Sequence, residues 1–192
     1  MRHDPDIILV GETRTVETAL TSLNAALTGH LVFSSLHTNS ALDSINRLLM
    51  MGIESYLLAP ALQLIIAQRL VRKCCPHCIS KRAANEQEDR YIRESLTKIH
   101  DVRPDLSPHY ESTVSHCPGC EHCQNTGYIG RIALLEVMEI TDDIRKKIID
   151  KSSDTAIIMQ SMRNNGFLTL AEDGLLKMLE GKTTIEELRR VV

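Results

Sequence analysis

Six cysteines in a chain of 192 residues fall into two clusters, "CCPHC" at Cys74, Cys75 and Cys78 and "CPGCEHC" at Cys117, Cys120 and Cys123. Within them lie two C-x-x-C pairs, Cys75/Cys78 and Cys120/Cys123. Two residues between sulfurs let a tight knuckle aim both at one ion, and two knuckles complete the tetrahedral four-thiolate shell that structural zinc prefers. A soft donor set with no obvious open position argues against catalytic zinc. Reduced structural thiols and a redox C-x-x-C are the alternatives. Cys74 and Cys117 are spare, each close enough in register to replace a chosen ligand. The loop between the pairs is longer than in a zinc ribbon, which disfavours a ribbon.

A second set of groups lies near the start. Ile7 to Val10 form an unbroken apolar run of the kind expected of a strand buried on both faces, and Gly11 and the carboxylate of Glu12 end it. "HLVFSSL" reads as another buried strand and delivers His37 at its end. Parallel sheets bind ligands at the carboxyl ends of their strands, so a carboxylate and an imidazole at matching ends point to a shared site. A solvated strand-end carboxylate and a satisfied structural histidine are the competing readings. His77 and His122 sit inside the knuckles and are expected to be exposed.

These groups need elements to hold them. Val16, Ala19, Leu20, Leu23, Ala26 and Leu27 recur at helical spacing, with Gly29 a natural stop. Strand, helix, strand with short joints is the grammar of a parallel α/β sheet. A second helix is expected over Ser40 to Met51, with Asn39 as its cap and Gly52 at its end. "YLLAPALQLIIAQRLVR" reads as a longer helix, bent or started near Pro60, that leads into the first cysteine cluster. Residues 79–116 are charged, with Ile92, Leu96 and Ile99 on one side of a surface helix. That is too little apolar surface for a separate core, so the stretch reads as an excursion closed at its neck by cysteines. "GYIGRIALLEVMEI" predicts a strand returning to the main sheet. Beyond it three short helices are expected: one capped by Asp154 and ending at Gly166, and two opened at capping-box spacing by Thr169/Glu172 and Thr184/Glu187, with Gly181 between them.

Composition narrows the function. With 43% hydrophobic and 24% charged residues the chain has enough apolar material for one core and an appendage. A net charge of −3, with both signs interspersed, gives no field that favours nucleic acid or anionic lipid. The cysteine regions carry Arg72, Lys73, Lys81 and Arg82, but Glu121 and the acidic excursion oppose a basic face. No apolar run approaches the roughly 20 residues of a membrane span, and the N-terminus lacks the pattern of a signal segment. The chain therefore reads as soluble and non-exported.

Taken together the motifs resemble those of the type II secretion and type IV pilus assembly ATPases, the GspE/PilB-like secretion ATPases. "RHDPDIILVGETR" looks like their Walker B segment and "TGHLVFSSLHTN" like their histidine box. "IIAQRLVRKCCPHC" with "CEHCQNTGYIGR" resembles their tetracysteine stretch, and "GFLTLAEDGLLKMLEGKTTIEEL" their C-terminal helical tail. The match covers essentially the whole chain, with residues near 80–116 least constrained. It implies an α/β fold: a partial RecA-like P-loop NTPase core with a mostly parallel sheet over 1–73, a tetracysteine zinc insertion over 74–125, a strand returning to the core over 126–140, and a C-terminal helical subdomain over 141–192.

By that resemblance Glu12 would be the Walker B glutamate that orients or polarises the attacking water, on a strand that Asp6 begins. His37 would lie near the γ-phosphate. Arg2, Arg14, Arg47 and Arg131 would act on phosphates or across subunit contacts, and Cys75, Cys78, Cys120 and Cys123 would hold structural Zn2+. ATP and Mg2+ would be the full-length parent's ligands. The parent would be a cytoplasmic hexamer, peripheral to the inner membrane and docked on a membrane platform protein. The tetracysteine favours an assembly or secretion motor over a retraction motor. Thr15 stands where the family usually has Asp, and Thr13 replaces an apolar residue, a change expected to loosen local packing.

A phosphate-cradling G-x-x-x-x-G-K-[ST] loop occurs nowhere in the 192 residues. Gly181 to Thr183 read Gly-Lys-Thr, but they join two helices. The expectation is therefore a C-terminal portion that starts mid-domain and does not turn over ATP alone. Its shortened sheet would expose an edge and an apolar face. The alternative is a non-enzymatic zinc-binding interaction module.

Overall fold

A computed structural model describes residues 5–106, 108–150 and 155–192. The elements in chain order begin with β1 (Ile7–Val10), α1 (Val16–Leu27), β2 (Leu31–Ser34), α2 (Ala41–Met50) and α3 (Ser55–Ala61). Next come β3 (Leu64–Cys74), β4 (Ser80–Ala83), α4 (Glu86–Val102), β5 (Thr113–His116) and β6 (Tyr128–Glu139). Four helices follow: α5 (Asp142–Ile149), α6 (Thr155–Asn164), α7 (Leu170–Leu179) and α8 (Ile185–Val191). The chain divides into two compact units, residues 1–67 with 137–164 and residues 68–136 with 165–192. Among the described residues three two-stranded sheets are formed, β1 with β2, β3 with β6 and β4 with β5.

Side-chain caps explain most helix starts. Thr15 accepts the Thr18 amide and opens α1. Ser40 caps α2 through the Asp43 amide. The cap is therefore one residue later than the Asn39 read from the sequence, because the serine hydroxyl is the group that reaches the free amide. Asn85 and Glu88 form a full capping box for α4, and Thr169 and Glu172 form another for α7. Thr184 caps α8, but the Glu187 carboxylate does not return to it. The expected cap Asp154 lies outside the described residues. Helix α5, opened by Thr141, is an element that the sequence reading omitted.

In the first unit β1 and β2 pair in parallel, Ile7 opposite Leu31 through Val10 opposite Ser34. The expectation that both strands are buried on both faces is not met: Leu9 is 80% exposed, and Ile7, Leu31 and Phe33 are more than half exposed. Among the described residues this sheet has two strands, and α1 packs on β2, so much of the apolar surface has no cover. The unit's core comes instead from helices. α3 packs on α1 and on α5, and α5 packs on α6, burying Leu23, Leu58, Ile144, Ile148 and Met162.

The segment read as one long helix around Pro60 is two elements. Helix α3 carries Pro60 in its last turn and ends as Leu62 turns to an extended ψ of 132°. From Leu64 the chain is strand β3, whose exposure alternates residue by residue as far as Val71. Leu, Ile and Ala at these positions fit a helical period as well as an alternating one. The β-branched Ile65, Ile66 and Val71 and the ladder with β6 decide for strand. Strand β6, expected to rejoin the main sheet, pairs with β3.

In the second unit β4 and β5 pair antiparallel, Ser80 opposite His116. The excursion has no separate core but shares one with residues outside it. Ile92 and Ile99 of α4 are fully buried with Val71, Val114, Leu134, Leu175, Met178 and Ile185, each large aliphatic contributing roughly 1.5–3 kcal/mol. The sequence reading treated the excursion alone, whereas α4 packs on α7, which lies far along the chain. Gly174 permits close packing there: a Cβ on it would meet Leu188 Cδ2 at 2.6 Å and Leu134 Cδ1 at 3.2 Å.

Candidate functional site

Beyond the last rung of the β1–β2 ladder the two chains stay pinned. The Thr13 amide donates to Ser35 O at 2.9 Å, the Thr13 and Ser34 hydroxyls meet at 2.7 Å, and the Ser35 hydroxyl donates to Gly11 O at 2.6 Å. Thr13, expected to loosen packing, is buried and supplies one of these ties. A hydroxyl satisfied across the strands is not a packing defect.

These ties place the functional side chains. Glu12 Oε1 lies 2.9 Å from His37 Nε2, and Glu12 Oε2 lies 2.7 Å from Arg14 Nε. The two groups read from matching strand ends therefore do meet. The Arg14 hydrogen bond holds the Glu12 carboxyl below its usual range, against a smaller opposing effect of burial, and the charges of Arg14 and His37 add to it. The same bond raises Arg14. The outcome is an ionised carboxylate, partly shielded, with a cation and an imidazole that are 75% and 85% exposed. Such a set accepts a proton or orients a water through Glu12 and offers donors to an anion through Arg14 and His37.

Arg47 lies exposed in the last turn of α2, in the same unit. Arg131 lies exposed on β6, in the second unit. Arg2 lies outside the described residues.

The second unit carries the thiols. Just past the end of β3, Cys75 O accepts the amides of Cys78 and Ile79, closing the first knuckle. Cys120 O accepts the amides of Cys123 and Asn125, closing the second, and Gln124 and Asn125 take left-handed φ of 52° and 59° to do so. The Cys75 amide bonded to Gly127 O at 2.9 Å ties one knuckle to the other. Gly127 sits at φ +80°, where a Cβ would fall 2.3 Å from Cys117 O.

The four sulfurs lie within 4.8 Å of one another. Cys75 to Cys120 is 3.9 Å, Cys78 to Cys123 is 3.9 Å, and Cys120 to Cys123 is 3.8 Å. A tetrahedron with metal–sulfur bonds of about 2.3 Å has an edge of about 3.8 Å, so this set fits one tetrahedral ion. Burial alone raises a thiol. It pushes Cys78 up to about 12, whereas at Cys123 the amides of Cys120 and Gly127 outweigh it and bring the thiol down to about 6. A cation is what such a cluster needs to ionise fully. His77 and His122 are exposed, as expected, and stack with ring centroids 4.1 Å apart.

Sequence reasoning missed what the neighbouring arginines do. Arg72 meets the fully buried Glu187 and lies over the Tyr128 ring, and Arg82 meets Glu88 and Glu186. Two of the cations weighed for nucleic acid are thus engaged internally. The only sequence signal was a capping-box spacing at Thr184/Glu187.

Comparison with known proteins agrees with these motifs. The sequence model of the family described as "Type II/IV secretion system protein" matches residues 1–190. The chain is 43% identical over 192 residues to the protein transport protein HofB homolog of Escherichia coli K12, and 42% identical over 191 residues to the type IV pilus assembly ATPase PilB of Pseudomonas aeruginosa. It is covered in full in both cases but spans only 38% and 32% of those relatives. Among solved structures, the pilus retraction motor PilT with bound ADP superposes with a TM-score of 0.61 at 26% identity, over 98% of this chain and 40% of that one.

Proposed function

The chain belongs to the type II/IV secretion system protein family, and from that premise we propose that it is part of a motor ATPase that powers type II secretion or type IV pilus assembly. The observation that carries this reading is the Glu12 carboxylate held between His37 and Arg14 at the ends of paired parallel strands. Phosphoryl transfer asks for positioning and charge more than covalent chemistry. Bound ATP with Mg2+ would supply the phosphoryl group that is transferred. Glu12 would orient the attacking water, His37 would donate toward the γ-phosphate, and Arg14, Arg47 and Arg131 would act on phosphates or at subunit contacts. Arg2 is assigned to the same group on its sequence motif alone.

In this reading Cys75, Cys78, Cys120 and Cys123 hold Zn2+ as a structural tie, which the tetrahedral sulfur spacing supports. The working assembly is a hexamer in the cytoplasm, peripheral to the inner membrane through a platform protein. Among the described residues no helix is long and apolar enough to cross a membrane. A zinc-binding interaction module without catalysis is the second reading, supported by the same four thiols.

Lacking a G-x-x-x-x-G-K-[ST] loop, the 192 residues alone neither hold ATP tightly nor turn it over. The test joins this chain to the remaining residues of its Pseudomonas relative and compares Glu12 with Glu12→Gln. Hydrolysis is expected in the joined protein and a loss of about a hundredfold or more in the variant, with nucleotide binding retained. Turnover unaffected by the substitution would remove Glu12 from the mechanism. Turnover by the isolated chain would refute the need for the loop. A joined protein that folds and binds metal without hydrolysing ATP would favour the second reading.

A further inference from the structure

The two cysteines outside the four-thiolate set are joined in a disulfide. Cys74 and Cys117 have Cα atoms 6.2 Å apart, inside the range that a disulfide requires. We propose that this pair is a redox-modifiable site which, when oxidised, closes the neck of the 79–116 excursion independently of metal.

Both backbones are anchored without the bond. Cys74 ends β3, is buried, and its amide donates to Lys182 O at 2.9 Å. Cys117 directly follows β5, and its carbonyl packs against Gly127. Opening the bond therefore leaves the two sulfurs near one another, which makes reclosure an intramolecular step.

The two lie 43 positions apart in sequence, and the span between them contains β4, α4 and β5. The Cys75–Cys120 contact closes nearly the same span, at a separation of 45 positions. One closure needs an ion, whereas the other needs the removal of two electrons and two protons. The excursion thus has two redundant clasps of different chemistry.

The oxidant class is a small-molecule disulfide. Cys117, the more exposed residue of the two, attacks RS–SR to form a mixed disulfide and release one RSH. Cys74 then displaces the second RSH as the protein bond forms. Each protein thiol's hydrogen leaves on a released RSH, so two protein thiols and one RS–SR become one protein disulfide and two RSH. Cys75, with no exposed surface, and the other knuckle sulfurs are engaged with one another and are poorer entry points.

The test uses the full 192-residue chain, reduced and loaded with zinc, then exposed to glutathione disulfide. Peptide mapping is expected to find one link, Cys74 to Cys117, with the remaining thiols alkylated only after a chelator is added. With chelator present, protease cleavage within 79–116 is expected to be about tenfold or more slower in the oxidised protein than in the reduced one. Cys117→Ser should remove that oxidant-dependent protection yet match the wild type when reduced and metal-loaded, which shows that it folds. Six alkylatable thiols after oxidant, a link to any of Cys75, Cys78, Cys120 or Cys123, equal cleavage rates, or protection retained in Cys117→Ser would each overturn the proposal.

Discussion

Glu187→Gln should destabilise the second unit by about 2–3 kcal/mol at neutral pH. The Glu187 side chain has no exposed surface. Its Oε1 accepts the Arg72 amide at 2.9 Å and Arg190 NH2 at 2.6 Å, and its Oε2 accepts from Arg72 and from Arg190 Nε. Burial raises this carboxyl, but the bonds from Arg190 and Arg72 outweigh it and hold it at about 2, below a usual value near 4.5. That drop corresponds to about 3 kcal/mol. Arg72 and Arg190 are 44% and 57% exposed and recover some hydration when the charge is lost, so the lower part of the range is expected.

The sign follows from proton uptake. The unfolded chain protonates this glutamate near 4.5 and the folded chain near 2, so the stabilisation is complete above about pH 5 and disappears as pH falls towards 2. Glu88, held at about 2 chiefly by its bond to Arg82, contributes in the same window. Wild type should therefore lose both contributions on acidification, and the glutamine variant only that of Glu88. Urea unfolding at pH 7 and at several values down to pH 2.5, with amide exchange read on α7 and α8, measures this. A variant within about 0.5 kcal/mol of wild type at pH 7, or one with an unchanged acid slope, would refute the reasoning.

Two substitutions probe the scaffold around the sites. Gly127→Ala puts a Cβ 2.3 Å from the Cys117 carbonyl at a φ of +80°; a loss of about 2–4 kcal/mol is expected, with cobalt(II) titration showing weakened thiolate bands, and unaltered metal binding would contradict the packing described. Thr169→Ala removes the hydroxyl that accepts the Glu172 amide and breaks the α7 capping box. A cost of about 1 kcal/mol and faster amide exchange over 170–173 are expected, and equal exchange would count against the cap.

What could be read from the chain was local. The strand–helix–strand start, the two knuckles and the α7 capping box follow from spacings of four residues or fewer and from apolar periodicity. The meeting of Glu12 and His37 was legible because matching strand ends are a rule of parallel sheets. Strand β3 was not, because Leu-Ile-Ile-Ala satisfies two periods at once, and the local β-branched residues tip the balance only together with its partner β6, more than fifty residues on. Glu187 was read as a cap because nothing nearby reveals that Arg72 takes its carboxylate, 115 residues away. Cys74 and Cys117 looked spare for the same reason: their pairing is a property of the folded neck, and the spacing of neighbouring cysteines does not show it.

Neither compact unit is continuous in sequence, and this bears on how the molecule is made. The thiol-bearing unit takes residues 165–192 as well as 68–136. On a ribosome, the knuckles and α4 emerge well before α7 and α8, which complete their shared core and bring the counterion for Arg72. Until those last helices are released, Ile92 and Ile99 are short of packing partners and the nascent segment is exposed to aggregation. A metal ion captured early at the four thiols would hold this half-built unit together during the wait.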